Sequence, residues 1–403
     1  MAARGTVAVL VTAFAIGAAP AAAQRVVDLS ATDRPIDVTA EPLFQVGGAA
    51  ATGPDAFQSV NAVAFDGAGN LYVLDTNQGR ISVFDGSGAF VHAVGRPGQG
   101  PGEFRRVWTF DVAHDGTVVA ADVLPDRLVV FGPDGAHRST WNTAAEEGEL
   151  GRPIVLAGAG HVVSAAQLFI RDGLPVLGSE EGVASHRPVL RFPLDGGAGR
   201  VIHSAFLSHP AARGGAAEQR RAFDAAVHIA GLRDGRVAVA DTVGYVIDLI
   251  DPATGGVTVL RRALPPLPVT AAHREAEIER RIADIEAGRF NMVSFGDNPT
   301  PRSEVMERLK AEARRTGFPE HFQPIRGVRV DPAGRLWVGR PGPSPEDPGR
   351  VDILLPDLYL GTVRDPAFRL PDAIGPDGLV AWIEEDDMEA AFVRVARLPA
   401  GLR

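Results

Sequence analysis

The sequence predicts an all-β fold: a six-bladed β-propeller with a two-helix insertion between blades four and five. Three observations predict it. A glycine turn recurs between apolar runs at Gly69, Gly116, Gly160, Gly235, Gly334 and Gly378. The spacings are 47, 44, 75, 99 and 44 residues, and a period of about 40–50 residues built of short strands marks a propeller. Each repeat also divides into four short strands, and the extra length of the wider spacings collects in particular links.

Residues 1–23 read as a secretory signal peptide. Arg4 precedes an apolar run, and Ala21-Ala22-Ala23 supplies an A-x-A cleavage site before Gln24. The run is shorter than the ~20 apolar residues needed to span a membrane, and no other stretch predicts a span. The expectation is an exported protein, periplasmic or extracellular, whose propeller occupies residues 24–403. The segment LFQVGG (43–48), or alternatively IDVTAE (36–41), reads as the outer strand of the last blade. It would close the ring and remove an exposed sheet edge.

The first repeat gives SVNAVAFD, NLYVLD, RISVFD and AFVHAVG as strands a to d, joined by tight glycine turns. The second follows with WTFDVA, TVVAAD, RLVVFG and AHRSTW, and the fourth with AAVHIAGL, RVAVAD, YVIDLID and GVTVLRRAL. FVRVARL ends the sixth. Links alternate between the two faces of an antiparallel blade. The a–b and c–d links, on the bottom face, are nearly all tight turns. The long links fall on the top face: Gln167–Arg187, Phe206–Ala226, Pro265–Gln323 and RPGPSPEDPG of blade five. Long loops on a rigid scaffold are where binding concentrates, so the top face is the place to look.

The insertion spans about 265–323. Thr270 caps a first helix with an apolar stripe of Ile278, Ile282 and Ile285 and a Glu277–Arg281 pair. A second helix begins with Thr300 as cap and Pro301, stops at Gly317, and turns Val305, Leu309 and Ala313 inward. The insertion reads either as a lid over the channel or as a buttress on its rim.

Composition narrows the function. There is no cysteine, so thiol chemistry, disulfides and lipoprotein attachment are excluded. The net charge of −10 argues against nucleic-acid binding. Lys310 is the only lysine, so nearly every cation is a guanidinium. These suit carboxylates and phosphates, although the abundance of Ala, Gly and Pro also fits a coding bias.

DTNQGRISVFDGSG (75–88), followed by GRPGQGPGEF (95–104), resembles the NHL-repeat six-bladed propellers, and DVLPDRLVVFGPDG (122–135) matches the same pattern. FPEHFQPIRGVRVDPAGRLWVG (318–339) also looks like exported bacterial propellers of unestablished function. The resemblance implies the fold. Its members include scaffolds, ligand binders and enzymes, so it leaves function open.

Aligning the repeats on their turn glycines puts Asn61, Trp108, Arg152, Val227 and Arg326 in one column at the top of the channel, with Arg105, Arg106 and His228 beside it. Asn61, Arg105, Arg106, Trp108, Arg152, His228 and Arg326 are therefore the candidate binding residues for a polar or anionic ligand; the bland alternative is that they line a wet channel mouth. Asp75, Asp122 and Asp241 end the second strands; they read as loop anchors, Asp75 with Arg80 and Asp122 with Arg127. His186, His209, His228, His273 and His321 fall near the top face without zinc-type spacing, so no metal is assigned. GRPGQGPGEF lacks a phosphate-loop ending and precedes a strand. Glu384–Asp387 reads as a solvated acidic loop.

Together these features describe a monomeric exported propeller that binds a protein, peptide or small ligand through its top face, without catalysis or cofactor. The alternative is a hydrolase or lyase with its active site at the top of the channel, for which no catalytic residue can be assigned. A third possibility is a structural subunit of an envelope assembly.

Overall fold

The second strand of each repeat is almost wholly apolar, as expected of strands covered on both faces. In the computed structural model every residue of Leu71–Asp75 and of Val237–Ala240 is buried. The structure describes residues 24–402 except 124–125, 144, 146, 159, 172–173, 178–183, 208–220, 289–301, 348, 364 and 366–367. The proposed signal peptide (1–23), His209, Thr300 and Pro301 lie outside the described residues.

Six antiparallel sheets form the blades, each with strands a to d running outward from the axis. Blade one is Val60–Phe65, Leu71–Asp75, Arg80–Phe84 and Phe90–Val94. Blade two is Val107–Val112, Val118–Val123, Asp126–Phe131 and His137–Asn142. Blade three is Ile154–Leu156, His161–Ala165, Arg187–Pro193 and Arg200–Ala205. Blade four is His228–Gly231, Val237–Ala240, Val246–Ile250 and Val257–Arg262. Blade five is Gly327–Val330, Leu336–Arg340, Arg350–Leu355 and Leu358–Val363. Blade six is Ala373–Ile374, Leu379–Glu385 and Ala391–Arg397, completed by Glu41–Gly47 from the start of the chain. Each strand a touches the next around the whole ring.

The expected closure is present. Glu41–Gly47 pairs antiparallel with Ala391–Arg397, so segment 43–48 rather than 36–41 supplies the closing strand. Residues before it add something the sequence did not announce. Gln24–Leu29 lies parallel on the outer strand of blade four, and Pro35–Ile36 lies parallel on that of blade five. The N-terminal segment thus covers the edges of two blades before it closes the third.

Apolar clusters fill the spaces between blades. Trp337 and Trp382, 0% and 1% exposed, meet across Phe368 between blades five and six. The a–b turns are held by carboxylates: Asp66 accepts from the backbone N–H of Ala68 and Asn70, and Asp331 from Ala333, Arg335 and the Trp337 indole. The turn glycine sits left-handed at Gly69 and Gly334, at φ +86° and +80°, where a side chain is disfavoured. In blade three that conformation falls on Gly158 and not on the expected Gly160.

One buried ionic network ties the N-terminal segment to blades four and five. Arg262 donates to Asp352 at 2.6 Å and to Asp33 at 3.0 Å, and Arg340 bridges the same two acids at 3.2 and 2.8 Å. The Arg262 guanidinium also lies 4.0 Å from the Tyr359 ring centre. Arg262 and Asp352 are both 0% exposed at their side chains. Removing one partner of such a pair strands the other, which costs about 3–5 kcal/mol. Asp352→Ala should therefore lose about that much in denaturant unfolding, whereas Asp28→Ala, whose partner Arg261 is half exposed, should lose under about 1 kcal/mol.

Candidate functional site

The insertion is built from a first helix, α1 (Ala271–Glu286), and a second, α2 (Arg302–Arg314), which pack together and lie between the last strand of blade four and the first of blade five. Thr270 caps α1 as the sequence suggests: its hydroxyl accepts from the His273 N–H, and the His273 ring bonds back to the Thr270 N–H. Glu277 pairs with Arg281 at 2.7 Å and with Arg280 at 2.9 Å. Ile285 and Ala313 are buried and the other stripe residues half-buried. The base is pinched together. Val269 N–H donates to Glu320 C=O, and Phe322 N–H to Leu267 C=O.

One cavity lies on the axis and a second beside it. The larger, about 660 Å³, is the central channel. All six first strands line it, from Asn61 and Pro153 down to a rim of a–b turn residues that includes Gly67, His114, Arg233 and Pro376. It therefore reaches the face opposite the insertion. The second, about 410 Å³, lies on the top face between α1 and the tops of blades five and six, walled by His273, Glu277, Phe322, Arg326, Arg340 and Pro345.

The candidate residues separate into distinct settings. Arg152 stacks 3.3 Å from the centre of the Trp108 ring, and Arg106 lies 5.2 Å from it. Burial and the neighbouring Arg106 charge bring the Arg152 guanidinium down to about 10. Arg326 lies over two rings, 5.5 Å from Phe223 and 5.6 Å from Phe322, and burial lowers it against the opposing charge of Glu277 across the top pocket. Among the described residues, no carboxylate lies in ion-pair range of Arg106, Arg152 or Arg326. Their neighbours in the top pocket differ: Arg340 and Arg350 are paired with Asp33 and Asp347. Three guanidiniums without an ion pair thus stand at the upper ends of the first strands.

The other candidates do less. The Asn61 amide oxygen accepts from Ser59 and Thr76. The Arg105 side chain turns to Gln99 at 2.5 Å, away from that set. His228 feels the charges of Arg329 and Arg326 and bonds to Gln323 and the Ile325 backbone.

The strand-end carboxylates are anchors. Asp122 pairs with Arg127 at 2.8 Å and accepts from the Arg105 and Arg106 N–H groups. Asp75 corrects the expected pairing. It accepts backbone N–H bonds from Gln58, Ser59, Asn77 and Gln78, while Arg80 donates to Pro54 C=O. Asp241 accepts from the Phe206 N–H and His203. In all three cases the acid tethers the passage entering or leaving a blade.

The histidines disperse: His186 pairs with Glu147 at 2.8 Å, His273 caps α1, and His321 bridges to Pro268. Among the described residues no three His, Cys, Asp or Glu side chains converge as metal ligands. In the acidic loop, Glu384 pairs with Arg394, and Asp386 accepts from Ala49, Met388 and Ala390, which tightens the ring closure. GRPGQGPGEF is a structural passage in which Glu103 accepts from Gln99 and Gly100 and pairs with Arg96.

Two channel residues escaped the sequence alignment. Asp111 and Arg329 stand three positions below Trp108 and Arg326, both five residues before their turn glycines. The same glycine alignment, read three places further down, would have shown them.

Fold and site define a six-bladed β-propeller with a cationic top mouth. A family model described as a 6-bladed beta-propeller matches residues 56–145. A solved protein of Bacteroides fragilis described as exported is similar over 92% of this chain and 99% of its own, with 11% identity and a TM-score of 0.50. A duf4221-family member from Bacteroides vulgatus is similar over 90% of this chain and 99% of its own, again with 11% identity and a TM-score of 0.50. A gluconolactonase of Xanthomonas campestris reaches a TM-score of 0.40 with 14% identity, over 91% of this chain and 100% of its own. No curated protein matches the sequence. At these identities the likeness is one of fold alone. Among the described residues no helix is long and apolar enough to cross a membrane.

His228 supplies a test of this environment. Burial, then the Arg329 and Arg326 charges, pushes its imidazole down from 6.5 to about 4. A depressed base stabilises the fold fully above its unfolded value and loses that contribution as pH falls through its folded value. Denaturant stability should therefore drop between about pH 6.5 and 4, and His228→Gln should show a shallower drop. Equal pH slopes in the two proteins would contradict the assignment.

Proposed function

We propose that this propeller is an exported binding protein that captures an anionic group of a small ligand, peptide or protein at its top mouth. One observation carries the proposal: among the described residues Arg106, Arg152 and Arg326 form no ion pair, on a chain of net charge −10, and rest against aromatic rings. Guanidiniums held on ring faces keep their hydrogen-bonding edges available, and those edges fit carboxylate or phosphate. Partial desolvation strengthens the attraction, because an incoming anion restores interactions lost from water. The α1 wall extends this surface into the 410 Å³ pocket, where Arg326 is shared by both. Export rests on the pattern of residues 1–23.

Citrate and inorganic phosphate are suitable probes by calorimetry. Binding should weaken about tenfold or more in Arg152→Ala and in Arg326→Ala, corresponding to about 1.4 kcal/mol or more each, and should fall with rising salt. Arg105→Ala, which faces Gln99 instead, should bind as the unmodified protein does. Equal affinity in all four proteins would reject the mouth as the site.

A further inference from the structure

The axial cavity carries opposed charges that the top-mouth site does not use. Aligned on the turn glycines, the first strands place Ala64, Asp111, Val155, Ala230, Arg329 and Ala373 at one level. Registers with the second strands agree: Asp111 faces Val119, Arg329 faces Trp337, and Ala64 faces Tyr72. Blades two and five are opposite in a ring of six, so Asp111 and Arg329 stand across the axis from each other. Both line the cavity. Alanines at three of the other positions leave the space between them open.

Each charged side chain is fixed by the neighbouring blade's inner edge. Asp111 accepts from the Leu156 N–H at 2.7 Å and the Val112 N–H at 2.8 Å. Arg329 donates through Nε to Asp372 C=O and through Nη1 to Val328 C=O, both at 3.1 Å. Among the described residues Nη2 of Arg329 has no hydrogen-bond partner, and no ion pair joins Arg329 to Asp111. Each feels the other's charge only at a distance. Burial raises the Asp111 carboxyl to about 6, against the pull of its two N–H donors and of Arg329, and lowers Arg329 against the charges of Asp372, which also lines the cavity, and of Asp111.

We propose that the axial cavity is a second binding site, entered from the face opposite the insertion, for a small zwitterion of amino-acid to short-peptide size. Asp111 holds its ammonium group and Arg329 its carboxylate. The volume of about 660 Å³ falls within the roughly 300–1,000 Å³ of small-ligand sites, which combine apolar walls with a few fixed polar groups. Val63, Phe110, Ile229, Val328 and Ile374 supply those walls, so apolar side chains are favoured. Opposite charges on opposite sides select a ligand carrying both signs and disfavour one carrying either alone.

Calorimetry on the full chain tests this with leucine and leucyl-leucine against the N-acetylated and C-amidated forms. The free zwitterions should bind, and each blocked form should bind about tenfold more weakly or worse. Asp111→Asn should lose the preference for a free amine, and Arg329→Gln the preference for a free carboxylate. Arg152→Ala should keep the preference for a free amine, which a purely cationic mouth does not read, and this separates the axial site from the top mouth. The proposal is overturned if no zwitterion binds at millimolar concentration, if blocked forms bind equally well, or if the variants keep both preferences. Should Asp111→Asn fail to fold for want of an acceptor for Leu156 N–H, the blocked-ligand series on the unmodified protein decides.

Discussion

Ring closure is the constraint on which the rest of this structure depends. Blade six has only three strands until Glu41–Gly47 arrives to pair with Ala391–Arg397. That pairing holds the two ends of the chain in one sheet and brings the first strands of blades six and one together. Six short strands then surround an axis too wide for their side chains to fill. The channel follows from this geometry, and so does the exposure of the strands' inner backbone edges to it. The acids and arginines described above settle those edges: Asp122 and Asp241 secure the passages between blades, and Asp111 and Arg329 clip neighbouring strands within the channel.

Charge is distributed unevenly on this scaffold. Several guanidiniums are spent on structure, as with Arg262 and Arg340 in the buried network with Asp33 and Asp352. Among the arginines without an ion pair in the described residues, Arg106, Arg152 and Arg326 stand at the upper ends of the first strands, where aromatic rings support them. An acidic protein with a local cationic mouth repels bulk anions weakly at long range and binds them at one place at short range. Salt screening over a Debye length of about 10 Å leaves that local field largely intact at the mouth.

Much of the architecture was legible because repeats impose it. Glycine turns, apolar second strands and the similarity between LFQVGG and the outer strand of blade one all recur in the sequence, so one repeat explains the next. The Thr270 cap and the Glu277–Arg281 pair were legible because they are local, set by residues three and four apart. Features that depend on distant pairing were not. Nothing in Gln24–Leu29 names blade four as its partner, since parallel edge addition leaves no periodic mark. Arg262 meets Asp33 and Asp352 only once the ring is closed. Asp75 binds four backbone N–H groups in place of Arg80, because a buried carboxylate beside free donors is satisfied without a cation. The site was half legible. Glycine alignment found Trp108, Arg152 and Arg326 but could not tell that Arg105 turns outward, or that the larger cavity reaches the other face.

The central claim is that guanidiniums without an ion pair at the top mouth form an anion site. Anomalous diffraction from crystals soaked in selenate tests it most directly, because it locates a bound anion without any assumption about the natural ligand. The account predicts a selenium peak in contact with Arg152 or Arg326, displaced when citrate is added. Peaks confined to the ion-paired arginines of the outer surface, with the mouth empty, would contradict it.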